Sequence, residues 1–98
     1  MNRVFSRRTY ELNTEENVEL EIEYPYEDAP LWRCAARVVW PGKEDFVLKS
    51  SGVDPLDALI STLKVSKILL ESKEEWRNGS LTWLENSDLG LDVVVPVT

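Results

Sequence analysis

The chain has 98 residues, 43% of them hydrophobic and 30% charged, with a formal net charge of −7, which suits a single folded domain over residues 1–98. It contains no histidine and one cysteine, so it has neither an imidazole base for a catalytic triad nor the ligand set of a zinc site. Its acidity disfavours nucleic-acid binding, and no apolar run reaches the ~20 residues that cross a membrane, so we expect a cytoplasmic protein.

The first half of the chain predicts strands. Residues 3–12 are extended but imperfectly alternating, which suits an edge strand or a bulge. Residues 18–24 alternate cleanly, with Val18, Leu20 and Ile22 on one side and Glu19, Glu21 and Glu23 on the other. This pattern predicts one buried face and one solvated face.

A loop is predicted over residues 25–31, which contain two prolines and two acids. Alternation resumes over residues 32–40, and the small pair Cys34 and Ala36 on the inward side would let a helix approach the sheet closely. After a turn at 41–44, a fourth strand is predicted with inward Phe46, Leu48 and Ser50. Short connections favour antiparallel pairing.

The stretch 52–70 predicts a helix that covers this sheet. Asp54 is a favourable N-cap and Pro55 a favourable first residue, and we expect a long helix from Pro55 to about Arg77, ended by Asn78 and Gly79. At about 100° per residue its buried stripe is predicted to contain Leu56, Leu59, Ile60, Leu63 and Leu70.

A short strand is predicted at residues 80–84, with Leu81 and Trp83 inward, and an edge strand at 91–97. Val65, Ile68 and Leu69 lie off the helix stripe, so either the C-terminal segment covers them or they form a homodimer contact together with the C-terminal strand, residues 93–97. The predicted fold is therefore a two-layer α+β domain, an antiparallel sheet of four to six strands with one long helix on one face, in the order β-β-β-β-α-β.

Eight acidic residues and no basic one fall between Glu11 and Asp28. We expect this segment to bind a basic protein through six residues: Glu19, Glu21, Glu23, Glu27, Asp28 and Trp32. Two plainer interpretations stay open. The glutamates can pair with Arg33 and Arg37 across strands as an ordinary solvated face, and Trp32 can be the first core residue of its strand.

No cofactor, metal site or catalytic residue is predicted, and we expect a protein that is not an enzyme. Paired carboxylates can hydrolyse glycosides, but these glutamates are expected on an open face. The alternative is a small enzyme or ligand-binding domain with a carboxylate-lined pocket between helix and sheet. Cys34 is interpreted as a buried thiol, because Arg33 and Arg37 should point to the opposite face.

The C-terminal half contains four short motifs: Gly52-x-Asp54, Asp57-Ala58-Leu59, Gly79-x-Leu81-x-Trp83 and Asp88-Leu89-Gly90. With them the chain resembles a family of small, uncharacterised bacterial α+β domains, which implies a bacterial origin and brings no activity. In being small, acidic and without catalytic residues it also resembles, more loosely, the immunity proteins that neutralise bacterial toxins.

Overall fold

The structure is a computed structural model that describes residues 3–13 and 15–91. These residues form an antiparallel sheet and two helices, in the order β1 (Val4–Leu12), β2 (Glu16–Glu23), β3 (Tyr26–Asp28), β4 (Leu31–Val39), β5 (Phe46–Gly52), α1 (Pro55–Glu71), α2 (Glu74–Arg77) and β6 (Leu81–Thr82). The strands lie side by side as β5–β4–β2–β1–β6, with β3 also on β4. The α+β class and the antiparallel sheet under a helix are confirmed.

The strand β3 corrects the predicted loop over residues 25–31. Pairing of β2 with β4 runs to Ile22 opposite Ala36, and β3 resumes it with Tyr26 opposite Arg33. Three residues between these pairs, 23–25, therefore oppose two on β4, residues 34–35, which is the pattern of a β-bulge. Because side chains alternate along a strand, the extra residue exchanges the faces of everything that follows it.

The helix start is confirmed and its length is corrected. Asp54 accepts a hydrogen bond from the backbone N–H of Asp57 at 2.7 Å, and Pro55 opens α1. The helix ends at Glu71, after 17 residues, because Ser72 caps it and Lys73 is extended, with φ −80° and ψ 143°. Gly79 was predicted to end the long helix, but it follows the short helix α2 instead. Its backbone is in the left-handed conformation, with φ 84°.

The buried side of α1 differs from the predicted stripe. It consists of Ala58, Thr62, Ser66 and Leu70, spaced four residues apart. Leu56 is 63% exposed, while Leu59, Ile60 and Leu63 are half-buried at the margin. Small side chains on α1 face the small inward residues Cys34 and Ala36 of β4, so the helix backbone lies close to the sheet. The Thr62 hydroxyl oxygen is only 3.3 Å from the carbonyl oxygen of Cys34.

The core also includes residues that the sequence patterns did not single out. Tyr10 and Leu12 of β1 are buried, as are Leu89 and Leu91 near the end of the described chain. The phenol of Tyr10 donates to the Leu89 carbonyl at 3.0 Å and thereby holds residues 83–91 against β1. Phe46, predicted inward, is 37% exposed. It lies on the inner face as predicted, opposite the buried Val38, and its ring centroid is 4.3 Å from the Lys73 ammonium at the edge of the sheet.

The predicted C-terminal strand at 91–97 and the homodimer contact through it lie outside the described residues, apart from Leu91. On α1, Val65 and Ile68 are exposed and Leu69 packs partly against the core. The homodimer through Val65, Ile68 and Leu69 stays a prediction. None of the helices in residues 3–13 and 15–91 is both long and apolar enough to cross a membrane.

Candidate functional site

The sheet has two different faces. Helix α1 packs on the inner face, over β4 and β5. The outer face is the opposite side, and it carries the outward residues of the four long strands, in particular Arg7, Thr9 and Glu11 of β1, Glu19, Glu21 and Glu23 of β2, Arg33, Ala35 and Arg37 of β4, and Val47 and Lys49 of β5. No helix covers the outer face within the described chain, so its side chains are available to a partner.

At the centre of the outer face one residue of the predicted acidic surface, Glu21, is neutralised. Glu21 lies opposite Arg7 on one side and Arg37 on the other. Its carboxylate accepts a 2.7 Å hydrogen bond from Arg7 Nε, only 15% of the Glu21 side chain remains exposed, and this hydrogen bond raises the pKa of the Arg7 guanidinium. Glu21 is therefore ion-paired with Arg7 and offers little free negative charge.

The acidic end of the sheet is the group Glu11, Glu15, Glu16 and Glu19 around the turn between β1 and β2. The residues that lie beside Glu19 and Glu11 on the adjacent strands are uncharged. Thr9 and Val39 lie on either side of Glu19, and Asn17 and Thr82 on either side of Glu11. None of the four carboxylates forms an ion pair with another described residue. These four carboxylates therefore have no ion-pair partner among the described residues, although Glu19 contributes to the raised pKa of Arg7 and Glu11 accepts a hydrogen bond from the Glu85 N–H at 3.1 Å.

The other predicted site residues do not share one surface. Asp28 lies on the outer face and pairs with Arg33. Glu27 lies opposite Trp32, whose ring packs partly against the core on the inner face. Facing strand residues project to the same side of a sheet, so the bulge separates Glu27 and Trp32 from Glu19, Glu21 and Glu23. The six predicted residues therefore do not form one continuous surface, and their role in binding a protein stays a prediction.

Two concavities are present in the described structure. A basin of about 520 Å³ on the outer face is lined by charged groups of both signs, with Ala35 buried within it. A cleft of about 300 Å³ lies between α1 and the sheet, lined mainly by Leu20, Ile22, Leu59 and Leu63, with Arg7 and Arg8 also contributing. The described residues that line this cleft include no carboxylate. The alternative of a carboxylate-lined pocket between helix and sheet therefore differs from the cleft observed.

Cys34 lies on the inner face and is buried, as the alternation predicted. Its thiol is 3.3 Å from the carbonyl oxygen of Glu23, to which it can donate. Burial raises the pKa of the Cys34 thiol, which keeps it protonated and unreactive at neutral pH. Among residues 3–13 and 15–91 no three acidic or cysteine side chains are grouped as metal ligands.

Stability is expected to decrease in alkaline solution. Burial raises the pKa of the Tyr10 phenol, against the opposing effect of Arg8, and burial likewise raises that of Cys34. Once the pH exceeds the unfolded values of about 8.5 for cysteine and about 10 for tyrosine, the folded chain holds more protons than the unfolded chain. The free energy of unfolding therefore falls as pH rises through the raised folded values.

Urea denaturation at several pH values between about 7 and 11 measures this slope. Tyr10→Phe removes one of the two groups, so its free energy of unfolding should decline less steeply with pH. Tyr24→Phe is the matched control because the Tyr24 ring is exposed. Equal slopes for all three proteins would show that Tyr10 does not titrate differently in the folded chain.

Residue types alone do not distinguish the acidic end from the rest of the acidic segment, residues 11–28. The distinction depends on which residues lie beside each glutamate across the strands. Arg7 lies fourteen positions before its partner Glu21, and the first strand's phase was ambiguous because of an irregularity between Val4 and Ser6. A correct register for β1 would have placed Arg7 beside Glu21 and Thr9 beside Glu19.

Comparison with known proteins gives a family. A family model described as "Domain of unknown function (DUF6968)" matches residues 5–93. No curated protein and no solved structure matches the chain. The family match covers most of the described structure, including the whole outer face except for residues before Phe5.

Proposed function

The chain belongs to this family of domains of unknown function (DUF6968), and we propose that it is a non-enzymatic module that binds a basic protein through its acidic end. The observation that carries the proposal is the contrast between Glu19 and Glu21. These two residues are two positions apart on β2. Glu21 lies between two arginines, whereas Glu19 lies between Thr9 and Val39. Glu19 forms no ion pair with a described residue, although its charge contributes to the raised pKa of Arg7, so its carboxylate can pair with a cationic group of a partner.

The surroundings of Glu19 support binding more than catalysis. Glu11 and Glu19 of the acidic end lie on the open outer face, whereas Glu16 lies opposite the buried Leu12 and projects to the inner side of the same end of the sheet. None of the four carboxylates lines either concavity described above, so they have no enclosed space in which a substrate would be held away from water. Catalytic carboxylates generally need such an enclosure to shift their protonation equilibria. A charged, accessible rim instead accelerates encounter with an oppositely charged protein.

The test is affinity capture from the organism that encodes the chain, with wild type and a Glu16→Gln/Glu19→Gln variant compared quantitatively. The variant keeps the side-chain shapes and removes two charges from the acidic end. We expect wild type to enrich a basic protein and the variant to lose it, with an association rate for the purified pair that is lower by about tenfold at low salt.

The matched control is Glu27→Gln/Glu74→Gln, which removes the same charge from two exposed positions outside the acidic end. It should capture the same partner as wild type. Recovery of only neutral or acidic proteins, or equal loss of the partner in the control, would overturn the proposal.

We further propose that the chain is a bacterial cytoplasmic protein and that its partner is a basic toxin, in keeping with its resemblance to immunity proteins. An inhibitor of this kind needs surface charge and a folded domain, and the net charge of −7 on an α+β fold supports this proposal. A toxin gene directly beside the gene for this chain is the expected observation. Neighbouring genes that encode no secreted or toxic protein would contradict the toxin assignment while leaving the acidic end as a binding surface.

A further inference from the structure

The strand β5 has one unpaired edge. All seven of its residues are in register with β4, from Phe46 opposite Val38 to Gly52 opposite Trp32, without a bulge. On its other side β5 has no strand partner in residues 3–13 and 15–91. Regular, unbroken edge strands are templates for adding a further strand, because their backbone N–H and C=O groups are free to pair.

The side chains on β5 make a second copy of the same strand a suitable partner. Val47, on the outer face, is 56% exposed and is the most exposed apolar residue of the strand. Asp45 and Lys49 lie two residues before and two residues after it, and both are exposed. The Asp45 carboxylate is 4.0 Å from Arg37, which places it on the same outer face.

Antiparallel pairing of two identical strands around a two-fold axis places one residue opposite its own copy. With Val47 at the axis, Asp45 lies opposite the partner subunit's Lys49, and Lys49 lies opposite the partner subunit's Asp45. With Lys49 at the axis, two ammonium groups face each other, which is unfavourable. With Phe46 at the axis, Lys49 faces the partner subunit's Lys43. Among the axis positions Phe46 to Lys49, Val47 alone pairs Lys49 with an acidic residue.

From this complementarity we infer that the chain forms a symmetric dimer through the free edges of β5, centred on Val47. The two sheets join into one, and their outer faces become continuous. The inference does not depend on the proposed function. The acidic end lies at the turn between β1 and β2, and β4 separates those strands from β5. It also differs from the homodimer predicted through Val65, Ile68 and Leu69, which uses the exposed face of α1.

Exchanging the charges at positions 45 and 49 tests whether the two strands pair with Val47 at the axis. Sedimentation equilibrium over a concentration series is performed on wild type, Asp45→Lys, Lys49→Asp and the double variant. We expect wild type to dimerise and each single variant to raise the dimer dissociation constant about tenfold, because two symmetric contacts become repulsive. The double variant restores both contacts in reversed order, and its dissociation constant should return close to that of wild type. Circular dichroism confirms that each variant is folded, and either single variant suffices if the other does not fold.

Ile68→Asp is the matched control, since it places a charge on the α1 face, where Ile68 is 69% exposed. It should leave dimerisation through β5 unchanged. The inference is overturned if wild type stays monomeric up to ~1 mM, if the double variant dimerises no better than the single variants, or if Ile68→Asp alone abolishes the dimer.

Discussion

Replacement of Leu70 by alanine is expected to lower the free energy of unfolding by about 2–5 kcal/mol, the range for truncating a fully buried leucine. The Leu70 side chain has no exposed surface and is the one large residue on the buried side of α1. The other three residues on that side, Ala58, Thr62 and Ser66, are small, so no neighbour on that side of α1 can fill the space left behind. Urea denaturation with tryptophan fluorescence measures the change.

Leu56→Ala is the control for Leu70→Ala. Both substitutions remove the same atoms from the same helix, but Leu56 is mostly exposed. It should cost no more than about 0.5 kcal/mol, as is usual for surface positions. A larger loss at position 56 than at position 70 would mean that α1 is rotated relative to the arrangement described here.

Gly52→Ala is the second substitution expected to have a large effect, a loss of about 1–3 kcal/mol or more from overpacking. A methyl group on Gly52 would overlap the backbone nitrogen of Ala58 and would lie 2.7 Å from the carbonyl carbon of Asp57. Backbone atoms cannot rotate away as a side chain can. The first turn of α1 must therefore move away from the end of β5.

That movement would also disturb the helix cap. Asp57 accepts a hydrogen bond from the N–H of Val53 at 2.9 Å and donates its own N–H to Asp54 at 2.7 Å. Thermal and urea denaturation should show the loss for Gly52→Ala, whereas Ser51→Ala, at the exposed neighbouring position, should remain within about 0.5 kcal/mol of wild type. Equal stability of Gly52→Ala and wild type would show that the strand and helix are further apart than described.

The sequence predicted the structure best where a local interaction alone determines the conformation. Alternation placed Val18, Leu20 and Ile22 on the inner face because one face of the sheet is covered and the other is not. The Asp54 cap and Pro55 located the start of α1 because both act through the helix backbone itself. These features do not depend on the rest of the fold.

The sequence was misleading where packing overrides periodicity. A stripe defined by large apolar residues pointed to Leu56, but close approach of the helix to β4 requires small residues, and the row Ala58, Thr62 and Ser66 was not recognised as a buried side. No glycine or proline marks the end of α1 after Glu71. Its cause is the local conformation of Ser72 and Lys73 together with the packing of α2.

The candidate site was predicted in outline. An acidic segment opposite the helix was visible in the sequence, but the separation of paired from unpaired carboxylates was not. That separation follows from the register of β1 against β2 and from the bulge before β3. Both are properties of strand pairing, which residue types alone do not determine.

Site-specific photo-crosslinking in the native cell tests most directly whether the partner binds at the acidic end. A photoreactive amino acid is placed at Thr9, which lies beside Glu19 on the outer face, and in a second protein at Lys64, which is exposed on α1. We predict a crosslinked product with a basic protein from position 9 and none with that protein from position 64. The same partner captured from position 64 and not from position 9 would contradict the account.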